Sequence, residues 1–278
     1  MSIKFTKMHG AGNDYIYIDA TNTCPDNLPE LARKMSDRHK GVGSDGLVAI
    51  MSSEIADFRM RMFNADGSEG EMCGNASRCI AKFVYDKGLT THTTITLETL
   101  AGIKILQITK FNPDGTVQEV TVDMGKPSFA PQDVPLASVG EMVDSSISTS
   151  MGEMRITALS MGNPHGVIFI DNVTNLKIEG IGSEIQNLPV FPAKANIEFV
   201  EVISPEELRM RVYERGSGET MACGTGACAT LVAAVVTNRA RRKAVIHLLG
   251  GDLSIEWAEN DHVMMTGEAV TVFEGEYL

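Results

Sequence analysis

The chain has 278 residues, of which 43% are hydrophobic, and a formal net charge of −12. This length suits two domains, each with enough apolar residues for its own core. The negative charge argues against nucleic acid or an anionic membrane as a partner, because both need a basic surface.

The first fifty residues are predicted to form short strands and one helix. The N-terminal residues lack the apolar core of a signal peptide, so a cytoplasmic location is expected. Strands are predicted at Lys4–Met8 and Asp14–Asp19, and a helix from Pro29 to Lys40. The segment Gly41–Gly46 matches G-x-G-x-x-G, but it follows a helix and precedes a strand. A dinucleotide site needs the opposite order, so no nucleotide cofactor is predicted.

A strand, a polar loop and a helix follow, and this unit occurs again later in the chain. The strand is predicted at Asp57–Phe63, the loop ends at Met72, and the helix begins at Cys73. Further strands are predicted at 94–97, 103–109 and 117–122. A stretch with scattered Pro and Ser begins at Gly125 and marks the expected domain junction.

The second half repeats the first with an offset of 150 residues. Arg59, Met60, Arg61, Glu69, Cys73 and Gly74 recur as Arg209, Met210, Arg211, Glu219, Cys223 and Gly224. A short helix is predicted near Glu184, with strands at 167–171, 197–202 and 208–213. The helix from Cys223 is apolar on nearly every side, so it must be buried all round. An α/β (α+β) fold is therefore predicted, with two pseudo-symmetric domains, each a curved sheet or barrel wrapped around a central helix.

Cys73 and Cys223 each precede a glycine at a predicted helix N-terminus. Free N–H groups and the helix dipole there are expected to lower a thiol pKa from about 8.5 to roughly 3.5–7.5. The same N–H groups suit a substrate carboxylate. A thiolate and a thiol delivered from two opposed directions could move a proton at a carbon beside that carboxylate. The repeat therefore predicts a catalytic cysteine pair on a pseudo-twofold axis.

The five cysteines do not indicate a secreted disulfide framework, because their number is odd and they lack paired spacing. Cys24, Cys79 and Cys228 are interpreted as packing residues, since free cysteine is among the most buried residue types. No metal site is predicted, because the cysteine spacing within each half differs from that of zinc ligands. A redox pair of Cys73 with Cys223 stays open.

Several polar residues have two interpretations. His165 is either a turn residue or a group that tunes thiol acidity near neutral pH. Arg215 offers a bidentate fork for a carboxylate, or else forms a surface ion pair. Glu214–Arg215 replaces Asn64–Ala65 of the first half. This difference suggests that one end of a substrate reacts while the other end is only bound. The repeated arginines (Arg59, Arg61, Arg209 and Arg211) are interpreted as a solvated or interface face.

The sequence resembles the diaminopimelate epimerase family of cofactor-independent amino-acid epimerases. The matching segments are KMHGAGNDY (7–15), GVGSDG (41–46), FNADGSE (63–69), MCGN (72–75), SMGNPH (160–165), ANIEF (195–199) and ERGSGETMACGTGACA (214–229). The last segment is the most specific, whereas a short MCG or CGTG also occurs in the related proline racemases. Two residues depart from the family pattern: Gly46, where many members have Gln, and Ala76, where Gly is usual.

The resemblance implies conversion of LL-2,6-diaminopimelate to the meso form, for lysine and peptidoglycan precursor synthesis, by Cys73 and Cys223 without cofactor or metal. His165 and Glu214 would adjust the two thiol pKa values. The implied substrate-binding residues are Asn13, Asn64, Gly74, Asn75, Asn163, Asn196, Glu214, Arg215, Gly224 and Thr225. The implied domains are 1–122 with 268–278, carrying Cys73, and 123–267, carrying Cys223. A homodimer is also expected.

Two alternative functions stay open. The same chemistry could act on another amino acid such as proline, hydroxyproline or histidine, although Arg215 and the asparagines disfavour a substrate without a second carboxylate. The other alternative is a non-enzymatic thiol redox or binding protein.

Overall fold

The structure, a computed structural model, describes residues 2–278. The chain divides into two compact units, Met1–Asp123 with Thr266–Leu278, and Met124–Met265. Within the described range, no helix is both long enough and apolar enough to cross a membrane.

The elements up to Asp123 alternate short strands with two helices. They are β1 (Ile3–Gly10), β2 (Asn13–Asp19), α1 (Leu28–Ser36), β3 (Gly46–Met51), β4 (Phe58–Asn64), β5 (Glu69–Gly70), α2 (Gly74–Asp86), β6 (Thr94–Thr99), β7 (Gly102–Phe111) and β8 (Val117–Asp123).

The remaining elements follow the same plan. They are β9 (Ser145–Thr149), β10 (Gly152–Ser160), β11 (Pro164–Phe169), α3 (Ile178–Gln186), β12 (Asn196–Ser204), β13 (Glu207–Glu214), β14 (Gly218–Glu219), α4 (Gly224–Val236), β15 (Lys243–Leu248), β16 (Gly251–Trp257), β17 (Val263–Glu268) and β18 (Val270–Tyr277).

Both units pair their strands in the same order. In the first unit, β1 is antiparallel to β2, β2 is parallel to β3, β3 is antiparallel to β4, and β4 is parallel to β6. In the second unit, β10, β11, β12, β13 and β15 repeat these relations. The register repeats too, because Tyr15 lies opposite Gly46 and His165 lies opposite Asn196, an offset of 150 in both cases. The internal repeat is therefore structural as well as sequential.

Each unit contains one helix that is buried by its strands. Helix α2 packs against β1, β2, β7 and β8, and even its Arg78 is fully buried. Helix α4 packs against β10 to β13, β15 and β16, and Ala227 to Ala234 are all buried. A helix that is apolar on every side gains most from such an enclosure. The predicted fold class, with strands wrapped around a central helix in each unit, is confirmed.

One helix end was predicted wrongly, and two strands were missed. Helix α1 ends at Ser36 rather than Lys40, because the Asp37 side chain accepts hydrogen bonds from the N–H groups of His39 and Lys40 and starts a turn. Strands β9 and β10 were not predicted; they lie in the stretch with scattered Pro and Ser that begins at Gly125. Residues 153–158 of β10 alternate between polar and apolar side chains, a strand pattern that the prediction missed, whereas β9 contains one apolar residue, Ile147.

Candidate active site

The first cysteine caps the helix at the centre of its unit. Cys73 is the N-cap of α2, with the extended backbone (φ −136°, ψ 119°) that ends a loop and lets Gly74 begin the helix. The preceding hairpin of β4 and β5 turns at Gly67, whose φ is 82°. The hairpin thus delivers the cysteine to the helix N-terminus, where N–H groups are free.

Asparagine side chains surround Cys73. The half-buried Cys73 thiol donates to Asn13 Oδ1 at 3.3 Å, and Asn75 Nδ2 donates to the same oxygen at 3.4 Å. Asn13 Nδ2 in turn donates to Asp45 Oδ2 at 2.8 Å, and Arg38 holds Asp45. The amide oxygen of Asn13 is therefore fixed towards the sulfur by a charged pair behind it.

Asn64 stands apart from this cluster. It ends β4, is exposed, and donates from Nδ2 to Ser68 Oγ at 2.9 Å. Gly46 lies opposite it in the strand register. A Cβ on Gly46 would stand 2.1 Å from the Phe63 carbonyl oxygen and 2.8 Å from the Tyr15 ring. This backbone has no room for a side chain at position 46, so Gly46 is matched to the close approach of β4.

The second cysteine has the same position in its unit and a different environment. Cys223 is the N-cap of α4, and its sulfur accepts from the Gly226 N–H at 3.4 Å. The Thr225 hydroxyl lies 3.5 Å from the same sulfur. Cys223 is only 6% exposed, whereas Cys73 is half-buried.

The pKa of Cys223 is raised well above the usual thiol range. Burial is the largest cause, and the negative charges of Glu214 and then Glu198 add to it. Hydrogen bonds from Thr225 and Gly226 act in the opposite direction but are outweighed. The expectation of a lowered pKa is therefore wrong for Cys223, because the helix terminus acts on a thiol that is desolvated and faces two carboxyl groups. The Cys223 thiol is neutral at neutral pH.

Glu214 and Arg215 are held at the end of β13. The Thr220 hydroxyl donates to Glu214 Oε1, and the Arg215 backbone N–H donates to Asn196 Oδ1 at 2.8 Å. The Arg215 guanidinium is exposed, donates to the Ala193 carbonyl at 3.4 Å, and forms no ion pair in the described part of the chain. Of the two interpretations of Arg215, the geometry favours a cation available to a ligand.

His165 is a core residue rather than a turn residue. Its side chain is fully buried in β11, its Nε2 lies 2.9 Å from Asn163 Oδ1, and its Nδ1 lies 2.7 Å from Glu198 Oε1. Glu198 was missed as a functional candidate, although a single Glu within the apolar strand ANIEFV is a recognisable signal. Burial raises the pKa of Glu198, and the charge and hydrogen bond of His165 act against that rise.

The structure thus forms two sets of predicted site residues, one in each unit. Cys73, Asn13 and Asn75 are connected by hydrogen bonds in the first unit. In the second unit, hydrogen bonds join Asn163 to His165, Asn196 to Arg215, and Thr225 to Cys223. Across residues 2–278, no group of three His, Cys, Asp or Glu side chains is arranged to hold a metal ion. The functional role of each of these residues stays a prediction.

Comparison with known proteins identifies close relatives. The family profile described as diaminopimelate epimerase matches residues 5–130 and 157–272. A diaminopimelate epimerase from Acetivibrio thermocellus is 54% identical, covering 99% of this chain and 98% of the relative. One from Methanococcus maripaludis strain S2 is also 54% identical, covering 99% of each chain.

Solved structures share the fold at low sequence identity. A PhzF-family phenazine biosynthesis protein from Bacillus anthracis gives a TM-score of 0.71 at 20% identity, covering 100% of this chain and 99% of its own. A hydroxyproline epimerase from Agrobacterium vitis gives 0.67 at 16% identity, covering 99% of this chain and 90% of its own. At such identities the likeness concerns the fold alone.

Proposed function

Because the chain belongs to the diaminopimelate epimerase family, we propose that it interconverts LL- and meso-2,6-diaminopimelate by proton transfer between Cys73 and Cys223. The observation that carries this proposal is the repeated cysteine cap. In each unit, a short hairpin is followed by a cysteine that caps the N-terminus of the central helix. The meso product would supply lysine and peptidoglycan precursor synthesis.

The proposed reaction has two proton transfers on opposite faces of one carbon. A thiolate removes the α-proton, so the C–H bond breaks, an S–H bond forms, and the electron pair moves towards the carboxylate. The other cysteine then gives its thiol proton to the opposite face, which inverts the carbon and leaves that sulfur as a thiolate. The two sulfurs exchange roles at each turnover, so the reaction runs in both directions and needs no cofactor. The substrate must contact both cysteines.

The environments of the two sulfurs suggest their starting roles. Burial together with Glu214 and Glu198 keeps the Cys223 thiol neutral at neutral pH, so we assign it the role of proton donor. Cys73 is more exposed, and Asn13 lies beside it. We assign Cys73 the role of base for the substrate stereoisomer that binds while Cys73 is the thiolate and Cys223 the thiol. The other stereoisomer would need Cys223 as the thiolate and Cys73 as the thiol.

We propose that the free N–H groups of Gly74–Asn75 and Gly224–Thr225 bind the reacting carboxylate. They follow the two cysteines in the first helical turn of α2 and α4. Stabilising the charge that develops there would accelerate the loss of the α-proton. The far end of the substrate would be held by Arg215 and by the asparagines, which are Asn13, Asn64, Asn163 and Asn196.

Solvent deuterium tests this function. Purified protein incubated with LL-diaminopimelate in D₂O is expected to give meso product that carries deuterium at the inverted α-carbon, detected by mass spectrometry and NMR. Cys73→Ala and Cys223→Ala are each expected to lose at least about 100-fold in kcat. Cys24→Ala is the matched control, because it removes a half-buried thiol outside either helix cap.

Four outcomes would contradict the proposal. Unlabelled product would exclude proton exchange with solvent, and full activity of Cys73→Ala would exclude the cysteine pair. Turnover of proline, hydroxyproline or histidine in place of diaminopimelate would retain the chemistry but overturn the substrate. Reversible thiol oxidation without any epimerisation would indicate the redox alternative.

A further inference from the structure

The second unit buries an ionisable pair that neither gives nor receives the proton in the proposed transfer. His165 and Glu198 are both fully buried, and His165 Nδ1 lies 2.7 Å from Glu198 Oε1. The other ring nitrogen, Nε2, lies 2.9 Å from Asn163 Oδ1, and since an amide oxygen only accepts, Nε2 carries a proton. Within residues 2–278, Glu198 Oε2 has no hydrogen-bond partner. Burying such a pair is costly, so a purpose beyond packing is expected.

The fold itself does not require this pair. At an offset of 150 residues, His165 corresponds to Tyr15 and Glu198 to Val48. Tyr15 and Val48 lie on the neighbouring parallel strands β2 and β3, as His165 and Glu198 lie on β11 and β12, and both are buried. The first unit thus builds the same strand pair with a buried valine where the second has a carboxyl group. The ionisable pair belongs to the Cys223 side of the molecule only.

Glu198 reaches the first turn of the helix that Cys223 caps. A Cβ placed on Gly226 would lie 2.8 Å from Glu198 Oε1 and 3.2 Å from the Cys223 sulfur. The glycine therefore leaves room for the carboxyl group and the sulfur to approach the same point of α4. Glu198 is also one of the two carboxyl groups whose charge opposes ionisation of Cys223, the other being Glu214.

The hydrogen bonds show how the pair carries a proton. Because His165 Nε2–H donates to Asn163, the short contact between Nδ1 and Glu198 Oε1 must contain a second proton, held by the ring or by the carboxyl group. Loss of that proton leaves a buried negative charge beside Cys223. Ionisation of the pair and ionisation of the thiol therefore oppose each other.

We propose that Glu198 is a positioning residue of the Cys223 site, which holds His165 and a shared proton against the first turn of α4 and thereby keeps Cys223 in its proton-donating form. His165 then acts on Cys223 through Glu198. The expected effect on kcat rests on the proposed function. The expected effect on Cys223 ionisation does not, because it can be measured without substrate.

Alkylation of Cys223 over a range of pH tests the proposal. Iodoacetamide modification, quantified by mass spectrometry of the peptide that contains Cys223, is expected to show its midpoint at lower pH in Glu198→Gln than in the parent chain. The midpoint for Cys73 in the same samples should not move. Glu198→Gln should also lose roughly tenfold in kcat, with little change in KM. Glu201→Gln, on the same strand but paired with the exposed Arg209, is the matched control and should behave like the parent.

Glu198→Asp separates charge from structure. It keeps the negative charge but is too short to hold His165, so kcat should fall while the Cys223 midpoint stays near that of the parent. Equal shifts of the midpoint in the Gln and Asp variants would show that only packing is disturbed and would overturn the proposal. So would a Cys223 midpoint and kcat that are both unchanged in Glu198→Gln. If the Gln variant does not fold, an Asp variant with parental kcat overturns it as well. Failure of the proposed function alone would leave the alkylation result intact.

Discussion

Arg211 donates two hydrogen bonds to Glu219, from Nε to Oε1 at 2.6 Å and from Nη2 to Oε2 at 3.0 Å. The equivalent pair in the first unit, Arg61 with Glu69, has the same geometry at 2.7 and 2.9 Å. Each pair ties the long strand to the short strand of the hairpin that ends at the cysteine. In each unit this arginine–glutamate pair, here called the brace, therefore stabilises the hairpin that precedes the helix-capping cysteine. Because the Arg211 side chain is only 14% exposed, it is not part of a solvated face.

Neutralising the brace should cost more stability in the second unit. Arg211 also donates to the carbonyl groups of Val173 and Leu176 and thus holds the segment before α3, whereas Arg61 is about one-third exposed. We expect Arg211→Gln to lower the free energy of unfolding by about 2–3 kcal/mol and Arg61→Gln by about 1 kcal/mol or less. Urea titration of the two variants checks this. An equal loss in both would show that the carbonyl contacts of Arg211 contribute nothing.

Much of the fold could be predicted because one pattern was repeated. Two copies of a strand, a polar loop and a Cys-Gly helix start indicated two similar units. The all-apolar helix after Cys223 required enclosure, which the structure provides. Strand β9 was missed because Ile147 is its one apolar residue, and β10 was missed although residues 153–158 alternate between polar and apolar. Their pairing partners are close in the chain, since β9 pairs with β10 and β10 pairs with β11 through short turns.

The chemistry of the site was less predictable than its location. A helix N-terminus favours a thiolate, and the sequence places Cys223 at one. The sequence does not reveal that Cys223 is desolvated or that Glu198 lies near it, because strand β12 and helix α4 meet only in the folded unit. Burial and two carboxyl groups then reverse the predicted direction of the pKa shift. Residue types in a motif therefore do not determine the protonation state.

Gly46 should tolerate no side chain. A Cβ there would meet the Phe63 carbonyl oxygen at 2.1 Å, so β4 would have to move and carry Asn64 with it. We expect Gly46→Ala to lower the free energy of unfolding by about 2–3 kcal/mol and to raise KM for diaminopimelate. Gly180→Ala is the matched control, since nothing lies within 4 Å of its Cβ and it is in helix α3, where Ala is favoured. A parental KM in Gly46→Ala would remove Asn64 from the substrate site.

Stability should decline in alkaline solution, and Cys79 should account for part of the decline. Burial raises the pKa of Cys79 from 9.0 to about 11, so the folded chain retains this proton where the unfolded chain has lost it. The contribution is complete below pH 9 and is lost as pH rises towards 11, at about 1.4 kcal/mol per pH unit.

Cys79→Ala isolates this contribution. The variant should be less stable than the parent at every pH, because it leaves a cavity, but its free energy of unfolding should fall less steeply between pH 9 and 11. Below pH 8.5 the difference between the two proteins should be constant, which serves as the internal control. Parallel curves up to pH 11 would show that Cys79 ionises equally in the folded and unfolded chains.

Arg215 should act on substrate binding rather than on proton transfer. Its backbone N–H is held by Asn196 and its guanidinium is exposed, so the chain presents a planar fork that matches a carboxylate. We expect Arg215→Lys to raise KM for diaminopimelate about tenfold with little change in kcat, since a point charge replaces two directed hydrogen bonds. Asn196→Ala should raise KM in the same direction by releasing the backbone of residue 215. Arg209→Gln, on the same strand but paired with Glu201, is the control. A fall in kcat with an unchanged KM in Arg215→Lys would place the guanidinium at the reacting carbon instead of the far end of the substrate.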